Sequence, residues 1–273
     1  MKKAISLLLA LVMVFALAAC GEKKENDKLI IIDENLGAEE YGIAFRADDQ
    51  ETRDAMEAAV AQVVASGAYA EIAEKYPDIV DNLIFLQNDA PAVEEIEKSS
   101  RTFIMGIDPE YPPFSYLGDD GEYTGFDVEI CKAACELLGW DFEVFGVNWD
   151  EKLVQLDARE CDCVWSGMTI LESMKEAGYV LSDPYYYNTQ VLVVRESGGI
   201  ASSADLAGKI VAVQLGTSGE ALLAEDGDLA DLSATFGKLI TCDSFLKCFT
   251  ELEGGAVDAV LVDLPVAASY VNK

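Results

Sequence analysis

The sequence predicts an α/β fold in which parallel strands alternate with helices. From Arg101 onward, short apolar runs are followed by stretches with helical spacing, in the order strand, helix, strand, helix, strand. A second series of the same kind begins near Ser203. Parallel strands in such units are joined by right-handed crossovers, and ligands bind beyond their carboxyl ends. We therefore expect two α/β units with a binding site at the ends of their strands.

The N-terminal residues have the layout of an export signal. Two lysines precede an apolar run over residues 5–17, and Leu17-Ala18-Ala19-Cys20 resembles the cleavage motif of bacterial lipoproteins. We expect residues 1–19 to be removed, Cys20 to carry a lipid anchor and residues 20–27 to form a polar tether. The protein would then be exported and anchored to the outer face of the cell membrane. A core helix over the apolar run is the weaker alternative, because a charged stretch without helical periodicity follows it.

Charge and cysteine content limit which partners and cofactors the protein can have. The 273 residues have a formal net charge of −31 and include no histidine. Such an acidic surface repels nucleic acid and anionic lipid, and it favours a soluble monomer. Without histidine or a paired Cys-x-x-Cys motif, we expect no metal and no other cofactor. Buried free thiols are the simplest interpretation of the remaining cysteines, and a disulfide stays open as the alternative. They are Cys131, Cys135, Cys161, Cys163, Cys242 and Cys248.

Residues 28–100 predict two strands, two helices and a connector. The strands are apolar runs, the first helix has a buried stripe through Met56, Val60 and Val63, and Gly67 and Pro77 interrupt the helical pattern. The predicted elements are strands at Lys28–Asp33 and Tyr41–Arg46 separated by residues 34–37, a helix from Asp48 or Asp49, a second helix at Tyr69–Tyr76, and a connector over residues 77–100 with one short helix at Ala92–Lys98.

The stretch from Arg101 to Leu138 contains a strand, an aromatic loop and a helix in direct succession. The strand covers residues 103–107, and Tyr111-Pro112-Pro113-Phe114 forms a loop stiffened by two prolines. Two interpretations of Asp108 and Tyr111 stay open. Both residues contact a ligand, or Asp108 is a turn residue and Tyr111 packs in the core. The elements predicted after this helix are strands at 141–147 and 161–165, a helix at 151–158, a loop at 166–169 and a strand at 190–195.

The second unit ends its first strand, Lys209–Val213, in a polar turn. Thr217 and Glu220 have the spacing of a capping box for a helix through Ala224, and free N–H groups at a helix start can bind an anion. Asp263 stands at the carboxyl end of the last strand. The other predicted elements are strands at 238–242 and 257–262 and helices at 244–253 and 264–271.

Several spaced motifs resemble the family 3 extracellular solute-binding proteins, the receptors of ABC importers for polar amino acids. They are Asp108-x-x-Tyr-Pro-Pro-Phe, Gly125-Phe-Asp-Val-Glu, Gly167-Met-Thr-Ile, Leu181-Ser-Asp-Pro-Tyr-Tyr, Asp205-Leu-Ala-Gly-Lys, Gly216-Thr and Val257-Asp-Ala-Val-Leu-Val-Asp. The resemblance implies a type II fold like that of periplasmic binding proteins, with two lobes that enclose an amino acid or a related small polar amine. It also implies a permease partner in the membrane and no enzymatic activity.

The order of the segments suggests a circular permutation of that family. A segment like Lys28–Tyr76 normally ends the chain, whereas here it comes first. Permutation is tolerated where the original termini lie close together and the new ends fall in an exposed loop. The resulting division places lobe 1 at 41–76 and 101–188, lobe 2 at 28–36 and 193–273, the connector at 77–100, and the hinge at 37–40 and 189–192.

The resemblance also implies the ligand contacts. Aromatic positions that sandwich the ligand match Tyr111 and Trp149, and an acid that takes its ammonium group matches Asp263. A carboxylate site would lie opposite, because a zwitterion needs groups of both signs in a dry cleft. The remaining expected contacts are Asp108, Ser166, Gly167, Thr169, Gln214, Thr217 and Ser218.

One position departs from the family. After the Gly-Met-Thr-Ile motif the family places an arginine that binds the α-carboxylate, but this chain reads Leu171-Glu172-Ser173-Met174-Lys175, with Met174 at the corresponding spacing. We expect Lys175, Thr169 and amides at a helix start to hold the carboxylate, with Lys175 as a point charge that lacks the bidentate geometry of arginine. The alternative is a ligand without a free α-carboxylate.

Two other functions remain open. The first is a dehydratase on the same fold, for which Glu172 and Asp263 are the candidate acid or base groups. The second is a module that senses a ligand and reports it to a partner.

Overall fold

The computed structural model describes residues 27–88, 92 and 95–271. The predicted export signal, the lipid-anchor residue Cys20 and the tether up to residue 26 lie outside these residues. The described strands are β1 (Leu29–Phe45), β2 (Thr102–Ile107), β3 (Glu110–Tyr111), β4 (Ser115–Leu117), β5 (Tyr123–Thr124), β6 (Asp141–Gly146), β7 (Cys163–Thr169), β8 (Val180–Leu181), β9 (Tyr186–Arg195), β10 (Ile210–Gln214), β11 (Lys238–Cys242) and β12 (Ala259–Asp263). The described α-helices are α1 (Gln50–Ala65), α2 (Ala68–Ala73), α3 (Ile84–Gln87), α4 (Phe126–Leu138), α5 (Lys152–Asp157), α6 (Glu172–Glu176), α7 (Ser218–Leu223), α8 (Ala230–Ser233), α9 (Phe245–Glu253) and α10 (Leu264–Val271).

One mixed sheet runs through both α/β units. Its strand order is β11-β10-β12-β9-β1-β7-β2-β6, and β8 pairs with β1. The strands β2, β6 and β7 are parallel to one another, as are β10, β11 and β12. Between these two parallel groups lie β9 and β1, which are antiparallel to each other and to the strands beside them. This arrangement confirms the predicted α/β class and the type II, two-lobe architecture.

The strand β1 differs from its prediction. Instead of two strands separated by a turn, residues 29–45 form one strand of 17 residues. It pairs with β9 at both ends, from Leu29↔Arg195 to Tyr41↔Tyr186, and the register shifts between Ile32 and Gly37. The stretch between these residues was predicted to be a turn because it is polar. In the structure it bulges out of the ladder, and a bulge bends a strand without ending it. The shift falls beside the expected hinge segments.

The strand β7 is longer than predicted and reaches Thr169. The expected loop at residues 166–169 is extended because its end pairs with β1 at Tyr41↔Thr169 and Gly42↔Met168. The expected short helix at Ala92–Lys98 is also absent from its described residues, 92 and 95–98, whereas Ile84–Gln87 forms α3 ahead of it. The first difference lies where a pairing with a distant strand decides the local structure.

Apolar side chains fill both faces of the sheet. The largest cluster crosses from one parallel group to the other and includes Tyr111 and Phe245, whose ring centroids are 5.9 Å apart.

The six cysteines at positions 131–248 are buried and free, which confirms their interpretation as buried thiols. Burial raises the pKa of the Cys161 thiol to about 12. Within the described part of the chain, no helix combines the length and apolar character needed to cross a bilayer.

Candidate functional site

A small cavity lies where the carboxyl ends of the two parallel strand groups face each other. Its volume is about 30 Å³, so the two halves are in contact around it. Its lining combines aromatic, polar and apolar side chains with a single carboxylate and a single ammonium group. The lining residues are Tyr111, Trp149, Lys152, Gly167, Met168, Thr169, Leu171, Met174, Gly216, Thr217, Ser218 and Asp263. We call this space the cleft cavity.

The carboxylate of Asp263 is the most heavily hydrogen-bonded group of the cleft cavity. Its Oδ1 accepts from Tyr41 OH at 2.8 Å, from Asn188 Nδ2 at 2.5 Å and from Gln190 Nε2 at 2.8 Å. The hydroxyl groups of Tyr41 and Tyr111 are 2.8 Å apart, which extends the network into the cavity lining. Asp263 is 3% exposed. These donors hold the carboxylate in one position, as binding of a cation requires.

A second carboxylate, Glu39, belongs to the same network and was missed in the sequence. It accepts hydrogen bonds from Thr169 Oγ1 at 2.9 Å, from Asn188 Nδ2 at 3.1 Å and from Gln190 Nε2 at 3.2 Å. The two amides therefore each donate to both Glu39 and Asp263. Two acids sharing amide donors concentrate negative charge at this end of the cleft cavity.

The sheet register brings these residues together. Gln190 of β9 lies opposite Asp263 of β12 on one side and opposite Gly37 of β1 on the other. Asn188 lies opposite Glu39. The polar residues of the expected hinge were visible in the sequence, but the pairing of β1 with β9 that aligns them is a long-range feature.

Burial and nearby charge change the acidity of Asp263. Burial raises the pKa of this carboxyl to about 7, and repulsion from Glu39 acts in the same direction. Hydrogen bonds from the tyrosine hydroxyls oppose the shift. A cation placed against Asp263 would favour its ionised form, so ligand charge and the protonation of this group are linked.

Opposite Asp263, the start of α7 contributes small polar groups. Thr217 caps the helix, since its Oγ1 accepts from Glu220 N at 3.2 Å, and the hydroxyl oxygens of Thr169 and Ser218 are 3.2 Å apart. Gly216 adopts φ +73°, and a Cβ there would lie 2.6 Å from Asp150 Cα. Only glycine allows this approach of the two backbones.

Asp108 and Gln214 face each other between the strand ends. Gln214 Nε2 donates to Asp108 Oδ2 at 2.7 Å, and both residues are buried. Burial raises the pKa of Asp108. Ser166 lies behind them, where its Oγ accepts from Asp108 N at 3.1 Å and is 2.5 Å from Ser115 Oγ. The structure thus places Ser166 as a support of the Asp108 loop rather than in the cavity lining.

Trp149 and Lys152 form one side of the cleft cavity. The Lys152 ammonium lies 4.7 Å from the Trp149 ring centroid and donates to Trp149 O at 3.1 Å. It also donates to Gly216 O at 2.6 Å, which joins the two halves of the protein. Burial lowers the pKa of Lys152 to about 8. Lys152 was not predicted from the sequence, because an isolated lysine at a helix start resembles a solvated one.

Lys175 lies away from the cleft cavity. Its side chain is 53% exposed and forms an ion pair with Glu172 at 3.2 Å. Successive residues of a helix point about 100° apart, and on α6 Met174 faces the cavity while Lys175 faces solvent. The expected replacement of the family's arginine by Lys175 therefore does not fit this geometry. Met174, 3% exposed, occupies the cavity lining instead.

The structure brings together most of the expected contacts. Tyr111, Trp149, Gly167, Thr169, Thr217, Ser218 and Asp263 line the cleft cavity. Asp108 and Gln214 meet beside it, and Ser166 supports them. Gly167 adopts φ +53°, where a Cβ would lie 2.3 Å from the Tyr111 ring. Among the described residues, no group of three or more His, Cys, Asp or Glu side chains could hold a metal ion.

Comparisons with known proteins agree with this geometry. The chain is 35% identical over 178 residues to the L-cystine-binding protein TcyJ of Escherichia coli (strain K12), a match that covers 64% of this chain and 64% of that relative, less than two thirds of its length. An ancestral arginine-binding protein bound to arginine has 35% identity and a TM-score of 0.57 over 63% of this chain and 74% of that one.

A second solved structure links the fold to enzyme chemistry. The ancestral amino acid-binding protein AncCDT-1, a precursor of cyclohexadienyl dehydratase, has 34% identity and a TM-score of 0.56 over 63% of this chain and 74% of that one. A family model matches residues 103–236, which include the lining residues from Tyr111 to Ser218 but not Asp263. The two-lobe sheet, the residues between its halves and these similarities agree, and the chain belongs to the bacterial extracellular solute-binding proteins, family 3.

Proposed function

We propose that the protein is the substrate-binding component of an ABC importer and holds an amino acid or a related small polar amine between two lobes. The observation that carries this proposal is the buried carboxylate of Asp263, which three side chains hold in place at the cavity between the two strand groups. Such a preorganised carboxylate suits a ligand ammonium group. The amino-acid ligands named for the related proteins support the same class.

Closure of the lobes around the ligand would be the recognition step. Three hydrogen bonds join the two strand groups around the cleft cavity: Gln214 to Asp108, Lys152 to the Gly216 carbonyl, and Thr169 to Ser218. These contacts can form only when the halves approach, so they favour the closed form. Bending would occur where the register of β1 against β9 shifts, beside the segments 37–40 and 189–192.

The order of the segments fits a permuted member of the family. Residues Asp27–Leu29 and Tyr270–Val271 line one cavity of about 830 Å³, so both ends of the described chain reach the same region of the protein. A rearranged chain with residues 28–76 moved behind Lys273 tests this idea. It should fold and bind the same ligands, because the join would connect ends on one side of the protein. A rearranged chain that fails to fold, beside a native chain that folds, would contradict the permutation.

Export and anchoring belong to the same proposal. Removal of residues 1–19 and lipidation of Cys20 would hold the receptor near its permease. Fractionation of expressing cells tests this: the native chain should be found with the membrane, and Cys20→Ala should be released. Equal release of both chains would contradict the anchor.

A dehydratase is the weaker alternative. Of its two candidate groups, only Asp263 lines the cleft cavity, whereas Glu172 is 73% exposed and pairs with Lys175. The similarity to a precursor of cyclohexadienyl dehydratase makes the assay worthwhile. Turnover of a cyclic carboxylic acid such as prephenate, lost in Asp263→Asn, would favour the enzyme over the receptor.

A thermal-shift screen against amino acids, aliphatic amines and short peptides tests the receptor itself. A ligand should raise the melting temperature of the native chain, since binding stabilises only the folded state. The stabilisation should be lost in Trp149→Ala and Asp263→Ala while both ligand-free variants remain folded. The absence of any stabilising ligand in the panel would contradict the proposal.

A further inference from the structure

We infer that the cleft selects an aliphatic dication without a carboxylate, such as a diamine or a guanidino-amine. The inference rests on the proposed function, because it names the ligand class of the same site. Three features of the described residues carry it: the commitment of the one lining cation, the excess of unpaired hydrogen-bond acceptors, and an acidic groove next to the cavity.

The cation lining the cleft cavity already uses two of its three N–H groups. Among the described lining residues this cation is Lys152, and its ammonium donates to the carbonyls of Trp149 and Gly216. The acids Asp150, Asp108 and Glu220 also face it and compensate its charge. A ligand carboxylate entering here would add a negative charge among three carboxylates. At the position where a cation was expected from the family, Met174 presents a thioether.

The unpaired polar atoms around the cleft are acceptors. Asn188, Gln190 and Gln214 are each at least 97% buried, and the described residues provide no hydrogen-bond partner for their Oδ1 or Oε1 atoms. Their amide nitrogens all donate to carboxylates. This fixes the amide orientation, because the reversed amide would turn its oxygen toward the acid. These residues stand behind the lining of the cleft cavity and do not form it, so their oxygens add to the acceptor character of its surroundings, which suits a ligand rich in N–H donors.

An acidic groove continues from the cleft cavity toward solvent. It has a volume of about 740 Å³ and shares Thr169, Leu171 and Ser218 with the cavity lining. The described residues around it include four acids and neither lysine nor arginine. The acids are Glu39, Glu40, Asp226 and Asp228. An extended ligand with one cation at Asp263 would therefore place a second cation among these carboxylates.

Matched ligand pairs test the inference in the full-length lipid-free chain. Calorimetry should compare agmatine with arginine, cadaverine with lysine, and putrescine with ornithine, because each pair differs only by the carboxylate. We expect the amine to bind at least roughly tenfold more tightly than the amino acid in at least one pair. Pentylamine, which lacks the second cation, should bind at least roughly tenfold more weakly than cadaverine.

Substitutions at Met174 and at an acid of the groove test which groups determine the ligand preference. Met174→Arg should raise the affinity for the amino acid of a pair by roughly tenfold, because a guanidinium can bind a carboxylate through two hydrogen bonds. The gain should not appear in Met174→Leu, which preserves the side-chain volume. Asp228→Asn, at an acid of the groove that is not part of the network around Asp263, should weaken cadaverine more than pentylamine, and an unchanged melting temperature of the ligand-free chain would confirm that it folds.

The outcomes separate this inference from the proposed function. Tighter binding of the amino acid in every pair would overturn the inference and leave an amino-acid receptor. Equal binding of cadaverine and pentylamine would overturn the assignment of a second cation to the groove. Failure of all six paired ligands, together with failure of the wider panel, would reject the proposed receptor as well.

Discussion

The two ends of the cleft cavity differ in how their polar groups are arranged. At one end, carboxylates receive hydrogen bonds from several buried side chains. We define this amine end as Glu39, Tyr41, Asn188, Gln190 and Asp263. At the other end the lining is apolar, and we define this α6 end as Leu171 and Met174. Buried carboxylates are thus fixed by the sheet at the amine end, whereas the α6 end has no charged group among its described lining residues.

The difference follows from where each end is built. The amine end lies on β1, β9 and β12, whose pairing fixes its side chains from both sides. In the α6 end, Met174 lies on a helix of 5 residues at the edge of the cavity and Leu171 immediately precedes that helix. Groups on strands of a central sheet are positioned more tightly than groups on a short peripheral helix. Substitutions at the amine end should therefore cost affinity, whereas those at the α6 end should change which ligand is preferred.

Loss of the Asp263 charge should have the largest effect. Asp263→Asn preserves the shape of the side chain but removes the partner of the ligand cation. Charge-assisted hydrogen bonds contribute about 1.5–3 kcal/mol, so we expect affinity to fall by roughly 100-fold in calorimetry. The ligand-free variant should be at least as stable as the native chain, because a buried carboxyl with a raised pKa is replaced by a neutral amide.

A charge lost elsewhere provides the control for that variant. Asp258→Asn removes an acid at the N-terminal side of β12, where its carboxylate accepts from Ile210 N at 2.9 Å, away from the cleft cavity. Its affinity should stay close to that of the native chain. Similar losses in both variants would mean that overall charge, rather than the amine end, determines binding.

The pH dependence should be the next largest effect. Because the pKa of Asp263 is raised to about 7 in the ligand-free protein, a cation must displace a proton at lower pH. Lowering the pH from about 7.5 to about 5.5 should weaken binding by about 20-fold. The effect should be absent in Asp263→Asn.

The stability of the ligand-free protein should change in the opposite direction. A carboxyl whose pKa is raised on folding contributes stability that is present below its unfolded pKa and is lost as the pH rises through about 7. Asp127, with a pKa also raised to about 7 by burial, contributes in the same sense. Melting of the native chain and of Asp263→Asn across this range isolates the share of Asp263. Ligand binding that strengthens at lower pH would contradict the assignment of Asp263 as the group that binds the ligand's cation.

Substitution of Lys152 should have a smaller effect on affinity, and the effect should be equal for all ligands. Lys152→Met removes the hydrogen bond to the Gly216 carbonyl that joins the two halves. The closed form should lose about 1.5 kcal/mol, or roughly tenfold in affinity. Lys132→Met, at an exposed position of α4, is the matched control. A loss confined to ligands with a carboxylate would instead identify Lys152 as the carboxylate site.

The sequence predicted the amine end only in part, and the reasons are physical. The place of Asp263 followed from its position after a strand, where parallel sheets bind ligands, and its expected role followed from the family resemblance. Glu39 and Gln190 did not follow, because only the pairing of β1, β9 and β12 brings them to Asp263. The same pairing explains why two predicted strands are one and why β7 continues to Thr169. Strand positions follow from local patterns, whereas register depends on partners distant in the sequence.

Lys175 should have the smallest effect and tests the α6 end most directly. We expect Lys175→Ala to leave the affinity for amines and amino acids within about twofold, because exposed ion pairs such as that with Glu172 contribute little. Calorimetry of both members of one matched pair is the measurement, and Glu172→Ala serves as the control for loss of the ion pair. A tenfold loss for the amino acid alone would require α6 to turn inward on binding, so that Lys175 replaces Met174 in the cavity lining. Unchanged binding would mean that Lys175 supplies no charge at the α6 end, as expected if the ligand has no carboxylate.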